Sequence, residues 1–171
     1  FGVPEDLIQV IEEPSIEKTQ ELMSAVDVVI ATGGMAMVKS AYSSGKPSFG
    51  VGAGNVQVLM DRHINYEEAA EKIITGRTFD NGLICSGEQC FIYPEENKEV
   101  VFNAFKNHGA YFVPAEYHDA MVNALFENGA IARDIVGQNV EVIAKKAGFE
   151  VPAGTRMLVV PAQGIGREDM I

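Results

Sequence analysis

A search of this chain for residues that could do chemistry begins with its two cysteines, Cys85 and Cys90. Cys85 falls in the run Asn81-Gly82-Leu83-Ile84-Cys85-Ser86-Gly87, just beyond the turn signal Asp80-Asn81-Gly82 and ahead of a strand-like segment from Gln89 to Tyr93. A thiol in a Gly-flanked loop is open to substrate, and nearby backbone N–H groups can lower its pKa and bind an oxyanion. The competing reading is a buried structural cysteine, the commoner fate of the residue type; spacing leaves both open. Cys90 alternates with Phe91 and Tyr93 within the strand, and core packing is expected of it. No metal site is expected: His63, His108 and His118 are scattered, and no C-x-x-C or H-x-x-x-H pattern occurs. Thr32-Gly33-Gly34 lies between a strand end and a helix start, where free N–H groups and the helix dipole favour an anion or a cofactor phosphate. Glycines occur at such turns for steric reasons too, and there is no G-x-G-x-x-G fingerprint of a standard dinucleotide loop. Tyr42 and Lys46 have the Y-x-x-x-K spacing of short-chain dehydrogenases, but Gly45 and Pro47 end the helix that such a pair needs, so the match is accidental. A serine-hydrolase elbow, G-x-S-x-G, is also missing.

The elements that must position these residues alternate between strand and helix. Ser15 is a plausible N-cap for a helix over about Ile16 to Ser24, and the β-branched run Val26 to Ala31 predicts a buried strand. A helix from Met35 to Ser43 stops at Gly45-Lys46-Pro47, and Ser48 to Val51 reads as a second strand. Strand, helix and strand at this spacing form a βαβ unit with parallel strands. The Gly-rich segment Gly50 to Asn55 marks a domain boundary or hinge before a strand over Val56 to Met60. Apolar spacing then predicts helices at Tyr66–Arg77, Glu95–Asn107, Glu116–Phe126 and Gly137–Ala147, the last capped by Gly148, with a final strand over Met157 to Pro161. The fold class is α/β.

Composition removes several function classes. The 171 residues suit one domain or pieces of two, and 47% are apolar, which argues against disorder. A formal charge of −11, with 13 basic against 24 acidic residues and no basic cluster beyond Lys145-Lys146, does not suit a nucleic-acid binder. No apolar run approaches the roughly 20 residues of a membrane span. Two cysteines do not make a disulfide scaffold, so the cytoplasm is the expected setting. The opening Phe1-Gly2-Val3-Pro4 reads as mid-protein sequence.

Four ordered motifs together resemble the CoA-acylating branch of the aldehyde dehydrogenase superfamily. They are Ala31-Thr32-Gly33-Gly34, Ala41 to Pro47, Gly50 to Val56, and Phe79-Asp80-Asn81-Gly82-Leu83-Ile84-Cys85-Ser86-Gly87-Glu88-Gln89. Asp134-Ile135-Val136-Gly137-Gln138 and Val151-Pro152-Ala153-Gly154-Thr155 fit the same branch. The resemblance implies that residues 1–54 close a Rossmann-type NAD(P)-binding domain and that residues 55–171 form the larger part of an α/β catalytic domain. It implies Cys85 as the catalytic cysteine and Thr32, Gly33, Gly34 and Gly52 as the cofactor-binding positions. NAD or NADP and coenzyme A follow as cofactor and co-substrate, and a short-chain aldehyde as the other small-molecule partner. A homo-oligomer, a fused or associated alcohol dehydrogenase and a cytoplasmic or microcompartment setting are further implications. Hydrolytic members of the superfamily carry a water-activating Glu in Glu-Leu-Gly-Gly near the place where this chain has Val51-Gly52-Ala53-Gly54. An acyl enzyme without that base would be resolved by the CoA thiol rather than by water. Two alternatives stand beside this expectation: a reductase of acyl phosphates such as glutamyl phosphate, with the same fold and cysteine, and a chain that only assembles with partners.

Overall fold

In the computed structural model, residues 2–161 and residue 164 are described. The chain divides into two compact units, Phe1–Ala53 and Gly54–Ile171.

The first unit is a single βαβ turn with a leading helix. Helix α1, Ile16–Ala25, starts where Ser15 accepts the Lys18 N–H, and it ends where the Val26 N–H closes on the Leu22 carbonyl. That closure holds Val26 outside the strand, so β1 covers Val29–Thr32 and begins three residues later than the β-branched run suggests. Helix α2, Met35–Tyr42, leads to β2, Ser48–Val51, which pairs in parallel with β1 from Val29 opposite Ser48 to Thr32 opposite Val51. Met23, Val29, Ala31 and Ala41 form the small core. Gly50 is where α2 meets the sheet: a Cβ there would lie 2.5 Å from Val38 Cγ1 and 2.9 Å from Tyr42 Cε2.

The second unit holds the larger core. Strand β3, Gln57–Leu59, pairs in parallel with β4, Cys90–Ile92, and helix α3, Tyr66–Thr78, connects them. Asn65 caps α3 by accepting from the N–H groups of Glu67 and Glu68, and Tyr66, Ala70, Ile73 and Ile74 form its buried stripe at helical spacing. Helix α4, Lys98–Asn107, buries Val101, Ala104 and Phe105 against α3, and the Phe105 ring stacks on Phe91 of β4 at 4.2 Å. Its predicted first turn, Glu95–Asn97, is a 3₁₀ turn instead.

Beyond α4 the short strand β5, Ala110–Phe112, pairs in parallel with β8, Met157–Val159. Three residues carry too little periodicity to announce β5 in the sequence. Helix α5, His118–Leu125, begins after a 3₁₀ turn and stops at Phe126, which enters a hairpin of β6, Phe126–Glu127, and β7, Ala130–Ile131. Asn128 and Gly129 at its tip both have positive φ, 52° and 77°, as a tight primed turn demands. Helix α6 spans Val140–Lys146 and not Gly137–Ala147, because Gly137 is left-handed at φ 71° and Asn139 is extended. It ends in a Schellman motif: the Gly148 N–H reaches the Lys145 carbonyl and the Phe149 N–H the Ala144 carbonyl. A second core gathers Val113, Met121, Ala124, Ala144, Ala147 and Phe149. No described helix is long and apolar enough to cross a membrane.

Candidate active site

Cys85 is exposed in the loop between α3 and β4. Thr78 at the end of α3 bonds its hydroxyl to the Ile74 carbonyl at 2.7 Å, and Phe79 leaves the helix in an extended conformation. The chain then takes three consecutive left-handed residues, Asp80 at φ 49°, Asn81 at φ 51° and Gly82 at φ 76°. Asp, Asn and Gly are the residue types for which that region is least costly. A tight turn follows: the Gly87 N–H donates to the Ile84 carbonyl at 3.1 Å, which sets Cys85 and Ser86 at its two central positions. The N–H groups of Cys85 and Ser86 have no acceptor among the described residues. They are the donors an oxyanion beside the sulfur would meet.

Glycine packs closely at the base of the turn. Gly87 is buried, and a Cβ on it would lie 3.2 Å from the Ile84 carbonyl oxygen and 3.4 Å from the Gly76 carbonyl oxygen of α3. The Glu88 carboxylate packs against Gly76, the one α3 position that leaves room for it. Its buried Oε2 has no hydrogen-bond partner among the described residues. Gln89 and Cys90 then donate their N–H groups to the Val56 carbonyl at 3.0 and 3.1 Å, and this fixes the end of the loop to the start of β3.

Cys90 corrects the sequence reading. It is exposed, not packed in the core. The alternation is present, but Phe91 takes the inward face through its stack on Phe105, so Cys90 and Ile92 face outward.

Thr32, Gly33, Gly34 and Gly52 come together in the first unit at the carboxyl ends of β1 and β2, where ligands of parallel α/β sheets bind. Thr32 ends β1 and is exposed; Gly33 donates its N–H to the Val51 carbonyl at 3.1 Å; Gly34 is the N-cap of α2. Gly52 lies over the first residue of that helix, where a Cβ would come 2.9 Å from the Met35 sulfur. An open helix start, an exposed hydroxyl and three positions without side chains suit a phosphate-bearing ligand. Val51, beside them, is exposed and apolar.

Sequence reading placed Asn81 in the cysteine loop but missed the residues that hold it, Gly137 and Asn139. The Asn81 side-chain amide donates to the Gly137 carbonyl at 2.9 Å and to Asn139 Oδ1 at 3.2 Å. Left-handed potential at Asp80-Asn81-Gly82 was legible; its partner, more than fifty residues on, was not.

No family model matches the chain. Among curated proteins, it is 47% identical over 172 residues to the acetylating succinate-semialdehyde dehydrogenase of Clostridium kluyveri, covering 100% of this chain and 38% of that protein. Among solved structures, an acetylating aldehyde dehydrogenase from Geobacillus thermoglucosidasius superimposes with a TM-score of 0.91 at 41% identity, over 98% of this chain and 37% of that one. A Rhodopseudomonas palustris propionaldehyde dehydrogenase, solved with bound CoA and an acylated cysteine, gives a TM-score of 0.83 at 32% identity, over 93% of this chain and 37% of that one. Over nearly its whole length the chain is similar to proteins named as acetylating or acylating aldehyde dehydrogenases, the branch its ordered motifs resemble. It spans a little over a third of the length of these relatives.

Proposed function

We propose that the complete protein is a CoA-acylating aldehyde dehydrogenase and that Cys85 is its nucleophile. The observation that carries the proposal is the exposed Cys85 at the centre of a glycine-built turn, beside N–H groups that have no acceptor among the described residues. The Cys85 thiolate attacks the aldehyde carbonyl carbon, and the oxygen takes the negative charge of the thiohemiacetal. The free N–H of Cys85 stabilises that oxygen. NAD or NADP, held by Thr32, Gly33, Gly34 and Gly52, would supply the acceptor for the hydride that leaves this carbon. A thioester then remains on Cys85. The CoA thiolate adds to the thioester carbonyl, the Cys85 thiolate leaves, and acyl-CoA is the product; the reverse sequence makes aldehyde.

Thr32, Gly33, Gly34 and Gly52 belong to the proposal as the positions that hold the cofactor, through the open N-terminus of α2 and the hydroxyl of Thr32. With them go the assignment of residues 1–54 to the cofactor domain and of residues 55–171 to the catalytic domain. Val51 supplies no base, so water has little means of competing with CoA. A homo-oligomer and a companion alcohol dehydrogenase rest on the family resemblance, and a cytoplasmic setting rests on it together with the low cysteine count.

The experiment is a pair of substitutions in the complete protein. Cys85→Ala abolishes aldehyde oxidation and Cys90→Ala keeps most of it. Equal loss in both variants, with folding intact, would overturn the assignment of the nucleophile.

A further inference from the structure

The turn that carries Cys85 is held at two ends, and only one of them is a packing contact with its own helix. Behind the sulfur, Gly87 rests on Gly76 and Arg77 of α3. Ahead of it, the left-handed residues Asp80, Asn81 and Gly82 swing the chain out of the helix, and Leu83 to Ser86 are exposed. Non-glycine residues enter the left-handed region at an energetic cost, so something must hold Asp80 and Asn81 there. The Asn81 side chain makes the tie. Its amide nitrogen donates at 2.9 Å to the Gly137 carbonyl, which can only accept, and at 3.2 Å to Asn139 Oδ1. Gly137 closes the same contact from its other side: a Cβ there would lie 3.3 Å from Leu83 Cδ1. The segment Gly137–Asn139 therefore grips the loop at Asn81 and at Leu83, four and two residues before the cysteine.

We propose that Asn81, latched to Gly137 and Asn139, is the positioning residue that sets the orientation of the Cys85 turn. The inference rests on the reading of Cys85 as nucleophile. Without the latch, Asp80 and Asn81 relax toward commoner backbone regions and the turn pivots about Gly87, which carries the sulfur and its neighbouring N–H groups together. Substrate-binding surfaces elsewhere do not change, so the loss falls on turnover and on thiol reactivity rather than on affinity.

The test uses the complete protein with three variants. Asn81→Asp keeps the shape but sets an acceptor against the Gly137 carbonyl. Asn139→Ala deletes one acceptor, and Asn139→Asp restores it. We expect Asn81→Asp to lower kcat and the iodoacetamide alkylation rate of Cys85 by roughly 10- to 100-fold, the scale of a displacement approaching 1 Å. KM for aldehyde and CoA, and labelling of Cys90, should stay within about 2-fold of wild type, as expected when only a transition-state interaction is lost. Asn139→Ala should fall between, and Asn139→Asp should recover most of the loss. Wild-type kcat and Cys85 labelling in Asn81→Asp would overturn the inference. So would a matched rise in labelling of both cysteines, which marks general loosening rather than positioning. Should Asn81→Asp not fold, the Asn139 pair decides: equal turnover in Asn139→Ala and Asn139→Asp overturns the latch. Full turnover in Cys85→Ala is a separate outcome that overturns the underlying assignment of the nucleophile.

Discussion

Gly87→Ala adds a single methyl group directly beneath the reactive turn, and its consequence can be worked from distances. The new Cβ would lie 3.2 Å from the Ile84 carbonyl oxygen, 3.4 Å from the Gly76 carbonyl oxygen and 3.7 Å from Arg77 Cα. The first is tighter than ordinary van der Waals contact, the second lies at its near edge, and both neighbours are backbone. Gly76 belongs to the interior of α3, whose face carries fully buried Ala70 and Ile74, so it does not yield. Ile84 belongs to an exposed loop, so the turn shifts by a few tenths of an ångström and takes Cys85 with it. Overpacking of this kind costs about 1–3 kcal/mol, offset by about 0.4–1 kcal/mol from the stiffer unfolded chain. A net loss near 1 kcal/mol is expected in urea unfolding of the complete protein. Since 1 Å of misplacement costs on the order of 10²-fold in rate, a third of that should lower kcat by roughly 3- to 10-fold. Gly54→Ala is the control, because a Cβ there meets nothing within 4 Å. A Gly87→Ala protein with wild-type stability and wild-type kcat would refute the packing of this turn on α3.

Gly50→Ala forces a Cβ to within 2.5 Å of Val38 Cγ1 in the first unit. It should destabilise the protein by about 1–3 kcal/mol in denaturant titration, with no change in Cys85 alkylation. The Asp134 carboxyl is held below its ordinary range, first by its hydrogen bond to Lys146. A depressed carboxylate contributes stability above its unfolded pKa, and that contribution is lost as pH falls through the folded value. Lys146→Gln should therefore be slightly less stable than wild type near neutrality, and the gap should close below about pH 4 in acid titrations of unfolding.

How much of this was legible in the sequence depended on the distance over which each residue acts. Ser15 as N-cap, Gly148 as C-terminal glycine and the parallel pairing within the βαβ unit are local signals, and all three are present, although the first strand lies at Val29–Thr32 and not at Val26–Ala31. The Asn128-Gly129 hairpin is equally local in its turn chemistry but went unread, and its first residue, Phe126, was taken into the preceding helix because Met121, Ala124 and Leu125 keep a helical period up to its edge. Strand β5 has only three residues and is held by a partner nearly fifty positions away. Cys90 shows the limit of alternation: period two gives two faces but does not say which is inward, and the Phe91–Phe105 stack decides it. The cysteine loop itself was readable as turn, thiol and glycine, whereas the Asn81 tie to Gly137 is a long-range contact that only the fold reveals.

The most direct test of the account is a rapid-mixing measurement of NADH, or NADPH, formation by the complete protein with aldehyde in excess and CoA withheld. Without a carboxylate at Val51 to activate water, the acyl group should accumulate on Cys85. The trace should show a burst near one equivalent per site, then a leak slower than the CoA-supported rate by about the 10²–10⁴-fold that general-base catalysis supplies. Mass spectrometry of the quenched protein should find the acyl mass on the peptide containing Cys85, and added CoA should restore steady turnover. Rapid steady formation of free acid without CoA, with no acyl group retained on Cys85, would contradict the account.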